Sequence, residues 1–429
     1  MSGLAGSPRT PRPRNSPVPA HASGEKPKAP RRGTGTARSA QVRGRASTKP
    51  ELLSEIVFFH LFDVGRSVDL RKVAALIPAN EDFDIVKRRD TPASLKLPRP
   101  LTLALGDGDC LENRELDCFS AQAKIYEEGA IVLLVRVKLR VAFGDLAAVR
   151  NTIIVSGDRH LSLDSWADEG FRKTFAAIKP AIDNARDISE CDREYYAAWC
   201  LLECPGDPSA FVESHREAAA AFLIGEPDGA DLHPSQILET LGHPLSYHRD
   251  DLAIFDLDRC LIIDPGRDYE DLLLIIEHAN WQLLELRVLD KLLDRWLDEA
   301  EDEVQSLRSG KARRTKARGR ASAAQAKLAR LQSLRFDALF ILENLENSSK
   351  IIGDYYLGQV YSQLCDIFNT DGWKWSVERR LDILEDVYDM VKSVSSEKVI
   401  IMLEVLFIAT STIFGLAGLV PILQALTNK

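Results

Sequence analysis

Val405–Leu426 reads VLFIATSTIFGLAGLVPILQAL, twenty-two residues without a charge. Wound as an α-helix at about 1.5 Å per residue, it spans roughly 33 Å, enough for a bilayer core of about 30 Å. Lys398 and Glu404 flank it on one side and Lys429 on the other. The run predicts one C-terminal transmembrane helix within 399–426. Polar Thr410, Ser411 and Thr412 near its middle leave a second reading open, a central helix buried inside a soluble oligomer. Ser411, Gly415 and Gly418 fall at i, i+4 and i+7, on one helical face. Small residues there let helix backbones approach closely in lipid, so these three are the expected helix-packing residues and the protein an expected homo-oligomer. Glycine is also common in membrane helices without packing, which is the plainer account. Arg379, Arg380, Lys392 and Lys398 precede the run, so charge bias places the N-terminal domain on the cytoplasmic side.

Upstream, the chain turns strongly helical after Pro265. From Tyr269 to about Leu307 neither Pro nor Gly interrupts, and Leu272, Ile276, Ala279, Leu283, Leu286, Leu289, Leu293 and Trp296 step by three or four. That spacing writes an apolar stripe down one long helix. A basic linker, 308–321, follows with Arg308, Lys311, Arg313, Arg314, Lys316, Arg318 and Arg320. A second helical stretch runs from about Ser322 to Phe368, a break is expected at Asn369-Thr370-Asp371-Gly372, and a third stretch runs from Ser376 to Val394. Short loops between long amphipathic helices predict antiparallel neighbours, a bundle or coiled-coil stalk, over 266–398.

Residues 51–265 alternate strand and helix signals. Ile56–Phe62 is an apolar, aromatic strand ending at Gly65, and Asp69 can cap a short helix carrying Leu70, Val73, Ala74 and Ile77. Leu101–Leu105 is a short strand. Phe119, Ala121, Ala123 and Ile125 share one face of a second, and Ala130–Leu139 forms a third, with a hairpin turn at Glu127-Glu128-Gly129. Leu163–Ala185 reads as a helix, Tyr195–Glu203 as a strand and Ser209–Leu223 as one helix. Leu252–Leu257 and Arg259–Ile263 are strand-like. This order argues for an α+β fold class, with ferredoxin-like halves as one arrangement it allows.

The net charge of −9 over 429 residues conceals an asymmetry. Residues 1–50 hold eleven Lys/Arg against Glu25 alone, while the remainder nets −19. A proline-rich cationic arm of this kind cannot build an apolar core and is expected to be disordered. It lacks the apolar region of a secretory signal. Seven cysteines, an odd number without a CxxC pair, fit reduced thiols rather than a disulfide framework.

Several motifs invite a chemical reading. Cys200 and Cys204 have a spacing some zinc sites use, but no second pair or nearby His completes four ligands. Ile254–Ile262 resembles the first motif of haloacid-dehalogenase phosphatases, an apolar strand followed by Asp256-x-Asp258. The resemblance implies a nucleophile and a general acid working with Mg²⁺. Arg259 and Cys260 stand where that family has Gly and Thr, and no later units follow to supply its other residues. A metal-dependent phosphatase using Asp256 and Asp258 is therefore the alternative function. His243, His248, Asp250 and Asp251 could hold a metal, or could be surface histidines and capping carboxylates. Gly310-Lys311 lacks the context of a phosphate-binding loop. Glu277-His278 lacks the ExxH repeat of a di-iron bundle. No GxSxG occurs. The basic linker has no interleaved aromatics, so a solvated loop is expected in preference to nucleic-acid or anionic-lipid binding.

The order of parts resembles the required-for-meiotic-nuclear-division family, a sporulation-type membrane family. The similar stretches are Cys260–Asp264 leading into Leu272–Arg287, then Arg379–Leu384, then Met402–Leu406, over the last 170 residues or so. The aromatic-rich strand expected in that family's N-terminal half is absent, with Phe62-Asp63-Val64-Gly65 only an echo. The resemblance implies a membrane protein without known catalysis and transfers no site residue. Magnesium channels of the CorA type share the same order of parts, but their second membrane helix and Gly-Met-Asn motif are missing. The expected protein is thus a membrane-anchored, non-enzymatic scaffold without cofactor, metal or nucleic acid. Its expected partners are the bilayer, a second copy and an unidentified protein.

Overall fold

In the computed structural model the described residues are 51–77, 84–85, 99–105, 116–146, 154–156, 160–226, 231–308 and 353–386, with isolated positions at 336, 339, 343, 389, 408 and 411. The arm 1–50, nearly all of the linker 308–321 and nearly all of 399–426 lie outside them, including Gly415 and Gly418. Among the described residues no helix is long and apolar enough to cross a membrane.

The strands in chain order are β1 (Glu51–Asp63), β2 (Ser67–Val68), β3 (Asp84–Ile85), β4 (Leu101–Ala104), β5 (Leu116–Ile125) and β6 (Ala130–Ala142). They continue with β7 (Ile154–Ser156), β8 (His160–Ser162), β9 (Ile182–Asp183), β10 (Arg193–Leu201), β11 (Leu252–Phe255) and β12 (Arg259–Ile263). Eight of them form one sheet in the order β11-β12-β10-β1-β6-β5-β4-β3. The helices are α1 (Leu70–Leu76), α2 (Leu163–Ile178), α3 (Pro208–Ser214), α4 (Arg216–Ile224), α5 (Pro234–Thr240), α6 (Glu270–Arg308) and α7 (Tyr355–Ile367). A further helix, α8, covers 370–386.

The four central strands, β10-β1-β6-β5, pair antiparallel throughout. With α1 between β1 and β5 and α2 between β6 and β10, their connectivity is βαββαβ. This is a single ferredoxin-like unit rather than two halves. It is widened at one edge by β4 and β3, and at the other by the β11–β12 hairpin, whose β12 runs parallel to β10.

Local chemistry accounts for these elements. Asp69 caps α1 by accepting from the Arg71 and Lys72 amides, each at 3.1 Å. The β5–β6 turn needs Gly129. Its φ is +90°, and a Cβ there would lie 2.1 Å from the Gly65 carbonyl oxygen. Leu163–Ala185 is not helical to its end: Pro180 follows Ile178, a single 3-10 turn closes the helix, and β9 begins at Ile182. Ser209–Leu223 is likewise two helices, broken at His215, where φ is −123° and ψ 25°.

The period-two alternation of β1 sorts its side chains cleanly. Ile56, Phe58 and Phe62 face α1 to α4, and Val57, Phe59 and Leu61 face α6. Helix α6 has 39 residues, about 58 Å long. From Leu272 to Val288 it is buried on nearly every side, because the sheet covers one flank and α7 the other. The expected single stripe is therefore a helix enclosed between layers.

The expected antiparallel packing of the long helices is corrected. Asp354 and Asp271 line one cavity, Tyr361 donates to Gln282 at 2.5 Å, Arg287 lies over Trp373, and Arg380 pairs with Asp290 at 2.5 Å. Partners advance together along both segments, so α7 and α8 run in the same direction as α6. The short-loop rule does not apply, since α7 begins 47 positions after the end of α6. The break at 369–372 is also shorter than expected. Asn369 takes φ +51°, and the helix resumes at residue 370.

Candidate functional site

Two neighbouring features hold the chemistry-bearing side chains. The first is the seam between α6 and the sheet. On β6, Arg136 and Lys138 project to the α6 face, as do Glu55 of β1 and Lys124 of β5. Arg136 makes a bidentate pair with Glu270, both bonds 2.6 Å, and lies 3.7 Å from Glu55. Tyr269 donates to Glu55 at 2.5 Å. Two helical turns further on, Glu277 accepts from Lys124 and from the Tyr126 hydroxyl, the latter at 2.5 Å. Burial pulls the Arg136 pKa down, but its bonds to Glu270 and the charge of Glu55 outweigh that and raise it. Burial, with Cys200 and Glu55 nearby, raises Tyr269.

Deeper along α6, His278 is enclosed and contacts Gln282 at 3.0 Å. Burial depresses its pKa to about 4, so the ring is neutral. Glu285 is buried with Asp63, Glu128 and Arg186 around it; burial first, then the like charge of Asp63, pushes it up to about 8. Asp63 itself is raised by burial, offset in part by Arg186 at 2.5 Å.

The second feature is the edge of the sheet where the β11–β12 hairpin meets α5 and α7. Two cavities open there, of about 830 Å³ and about 380 Å³. Asp256 and Asp258 occupy the hairpin turn. The turn is braced by the Tyr196 hydroxyl, which donates to the carbonyls of Asp256 and Arg259 at 3.1 and 2.8 Å. Asp256 accepts from the Leu257 amide and lines the larger cavity, whereas Asp258 is half-exposed and pairs with Arg259 at 3.4 Å. A phosphatase loop of the kind considered above leaves a parallel strand, and this turn joins antiparallel ones, so the geometry lends that chemistry no support.

The group His243, His248, Asp250 and Asp251 is divided between the two cavities. His243 lines the larger and the other three the smaller. Asp251 accepts from the amides of Tyr247 and His248, Asp264 from those of Arg267 and Asp268, and Asp354 caps α7. These carboxylates hold turns and helix ends. Cys200 faces α6, while Cys204 packs against the core on the other side of the sheet. Among the described residues no group of three or more His, Cys, Asp or Glu could hold a metal.

The ion-paired seam was not anticipated from the sequence. Its signal is present in the alternation of Arg136, Lys138 and Arg140 along an otherwise apolar strand, and in Glu270 and Glu277, seven residues apart on one helix.

The fold and its seam define an α+β domain seated on a long, buried helix. The chain belongs to the family described as "Uncharacterized protein MJ0711, N-terminal domain", whose model matches residues 54–270, about half of the chain. The match runs from within β1 to the first residue of α6. Uncharacterized protein MJ0711 of Methanocaldococcus jannaschii is 28% identical over 231 residues, covering 53% of this chain and 67% of that protein. No solved structure matches. This finding overturns the resemblance to the required-for-meiotic-nuclear-division family. That resemblance lay in the last 170 residues, whereas the match is N-terminal. Its first stretch, Cys260–Asp264, is a strand paired on both sides, leading into a buried helix. Any such passage carries the same apolar patterning, which made the likeness unspecific.

Proposed function

We propose that the protein is a membrane-anchored, non-enzymatic scaffold. In this reading the α+β domain presents a partner surface, and α6 to α8 connect it to a transmembrane anchor at 399–426. The observation that carries the reading is the seating of α6. A half-exposed ion pair from Glu270 and a buried one from Glu277 fix its first turns to the sheet, and Arg380 ties α8 to Asp290 and Asp294 alongside it. A helix held this way transmits position rather than performing chemistry. The uncharged run at 405–426 is the segment that would anchor the protein, and the basic residues before that run support a cytoplasmic domain. Ser411, Gly415 and Gly418 supply a face for a second copy within the bilayer.

Fractionation tests this. Full-length protein should sediment with membranes and resist carbonate extraction. A chain ending at residue 398 should stay in the supernatant with an unchanged melting transition. Full-length protein remaining in solution after ultracentrifugation without detergent would sink the anchor. A monomer by light scattering in mild detergent would remove the self-association.

A further inference from the structure

Helix α8 has two apolar faces, and only one of them is used within the chain. Val377, Leu381 and Leu384 pack on Leu286, Leu289 and Leu293 of α6. On the side away from α6 lie Trp375, Arg379 and Ile383, spaced at i, i+4 and i+8 along one face. Trp375 is 60% exposed and Ile383 41%. The Arg379 guanidinium lies 5.2 Å from the centroid of the Trp375 ring, which holds the indole in place on the outer face. Trp and Arg are the residue types most enriched at the energetic centres of protein interfaces.

Two further observations indicate what covers this face. The first is charge. Glu378, Asp382 and Asp386 are exposed beside Arg379. For two such helices running in the same direction the pattern is self-complementary, because Arg379 of each copy comes opposite Asp382 of the other, about one turn further on. The second is helical phase. Ile408 and Ser411 are helical and exposed. Position 411 follows 375 by thirty-six residues, and 415 follows 379 by the same number, about ten turns at 3.6 residues each. Trp375 and Arg379 therefore share a helical phase with Ser411 and Gly415, the small residues expected to pack within the bilayer.

We propose that Trp375, Arg379 and Ile383 form a docking surface for α8 of a second copy, the two helices lying side by side and parallel about a twofold axis. The proposal rests on the anchored reading, since two anchors in one bilayer, with both domains on the same side, hold their α8 helices parallel. An unlike partner would need neither the self-complementary charges nor the phase shared with the anchor.

Thiol cross-linking of the full-length chain in membranes tests the proposal, with a short bismaleimide and the wild type as the blank for native cysteines. Ile383→Cys and Ser411→Cys should each give a cross-linked dimer. Leu238→Cys, exposed on α5, should not. Trp375→Ala, introduced beside Ile383→Cys, should lower the yield roughly fivefold or more, as loss of a central interface residue does, with the melting transition in place. A dimer through Ser411→Cys but none through Ile383→Cys would overturn the α8 surface and leave a self-associating anchor. Equal yields at Ile383→Cys and Leu238→Cys would mean random collision and would also overturn it. No dimer from either, with the protein found in the supernatant, would remove the anchored reading together with the proposal.

Discussion

On one face of the sheet, Phe62 stacks on Phe171 at 3.8 Å between ring centroids, and Val73, Leu133, Phe175 and Ile178 close around them. On the other face, aliphatic residues of α6 are interrupted at intervals by Glu270, Glu277, His278, Gln282 and Glu285, each meeting a polar or charged neighbour. Both faces are buried, and only the second is directional. Apolar packing is tolerant of small shifts along a helix, because one aliphatic neighbour replaces another. A bidentate Arg136–Glu270 pair and a Lys124–Glu277 pair seven residues further on are satisfied in one register alone. Both faces bury extensive apolar surface, and the second also fixes where a long helix sits.

The sharpest way to break that division is to remove volume from the apolar face. Phe171→Ala should cost about 4 kcal/mol, the usual result of emptying a buried aromatic site. The denaturant midpoint should fall accordingly, with the far-ultraviolet circular dichroism of the folded state unchanged. A loss below about 1 kcal/mol would mean that the stacked aromatics add little to the core.

The seam should respond differently, and by slightly less. Glu277→Leu leaves Lys124 facing a low-dielectric interior without a partner, at about 3 kcal/mol. Replacing Lys124 by Leu as well should recover more than half of that loss, because a matched apolar pair substitutes for a buried ion pair. Protease nicking of α6 should nevertheless increase in the double variant if the pair sets register rather than stability. Additive losses from the two substitutions would show that Lys124 and Glu277 act independently.

This contrast also separates what the sequence discloses from what it withholds. Ile56–Phe62, the Glu127-Glu128-Gly129 turn, the Asp69 cap and the uninterrupted run after Tyr269 are legible because each depends on neighbours in the chain. The direction of α7 and α8 is not, since it depends on what the residues between Arg308 and Tyr355 do. Nor is the division of His243 from His248, which only the insertion of the β11–β12 hairpin creates. The ion pairs of the seam fall between these cases. Arg136 and Lys138 mark a polar stripe on β6, but nothing in the sequence says that Glu55 and Glu270 will meet it. Their separations along the chain are over 70 residues, and strand order decides the meeting.

Glu285 gives the finest test of the polar face. Its carboxyl is raised to about 8 by burial and by Asp63 and Glu128, with Arg186 opposing. The folded protein therefore keeps a proton that the unfolded chain releases near pH 4.5. The sign follows from linkage: stability is fullest below the unfolded value and declines as pH rises through the folded one. His278 works in the opposite sense, since its folded value is lowered to about 4 and its unfolded value is 6.5. It destabilises the fold only as pH drops below that unfolded value. A window from pH 6.5 to 8 isolates Glu285. Across it the wild type should lose roughly 1.5 kcal/mol, because the slope of about 1.4 kcal/mol for each pH unit halves as pH reaches the folded value. Glu285→Gln removes the titration while keeping the size and a hydrogen-bonding end. Its unfolding free energy should be nearly flat over the same window, even if it is lower than wild type at pH 6.5. Guanidinium titrations at pH 6.5, 7.2 and 8.0 measure both slopes. A variant whose stability falls as steeply as wild type would place the proton elsewhere, on Asp63 or Glu128. The polar face would then hold its charge at the hairpin turn rather than on α6.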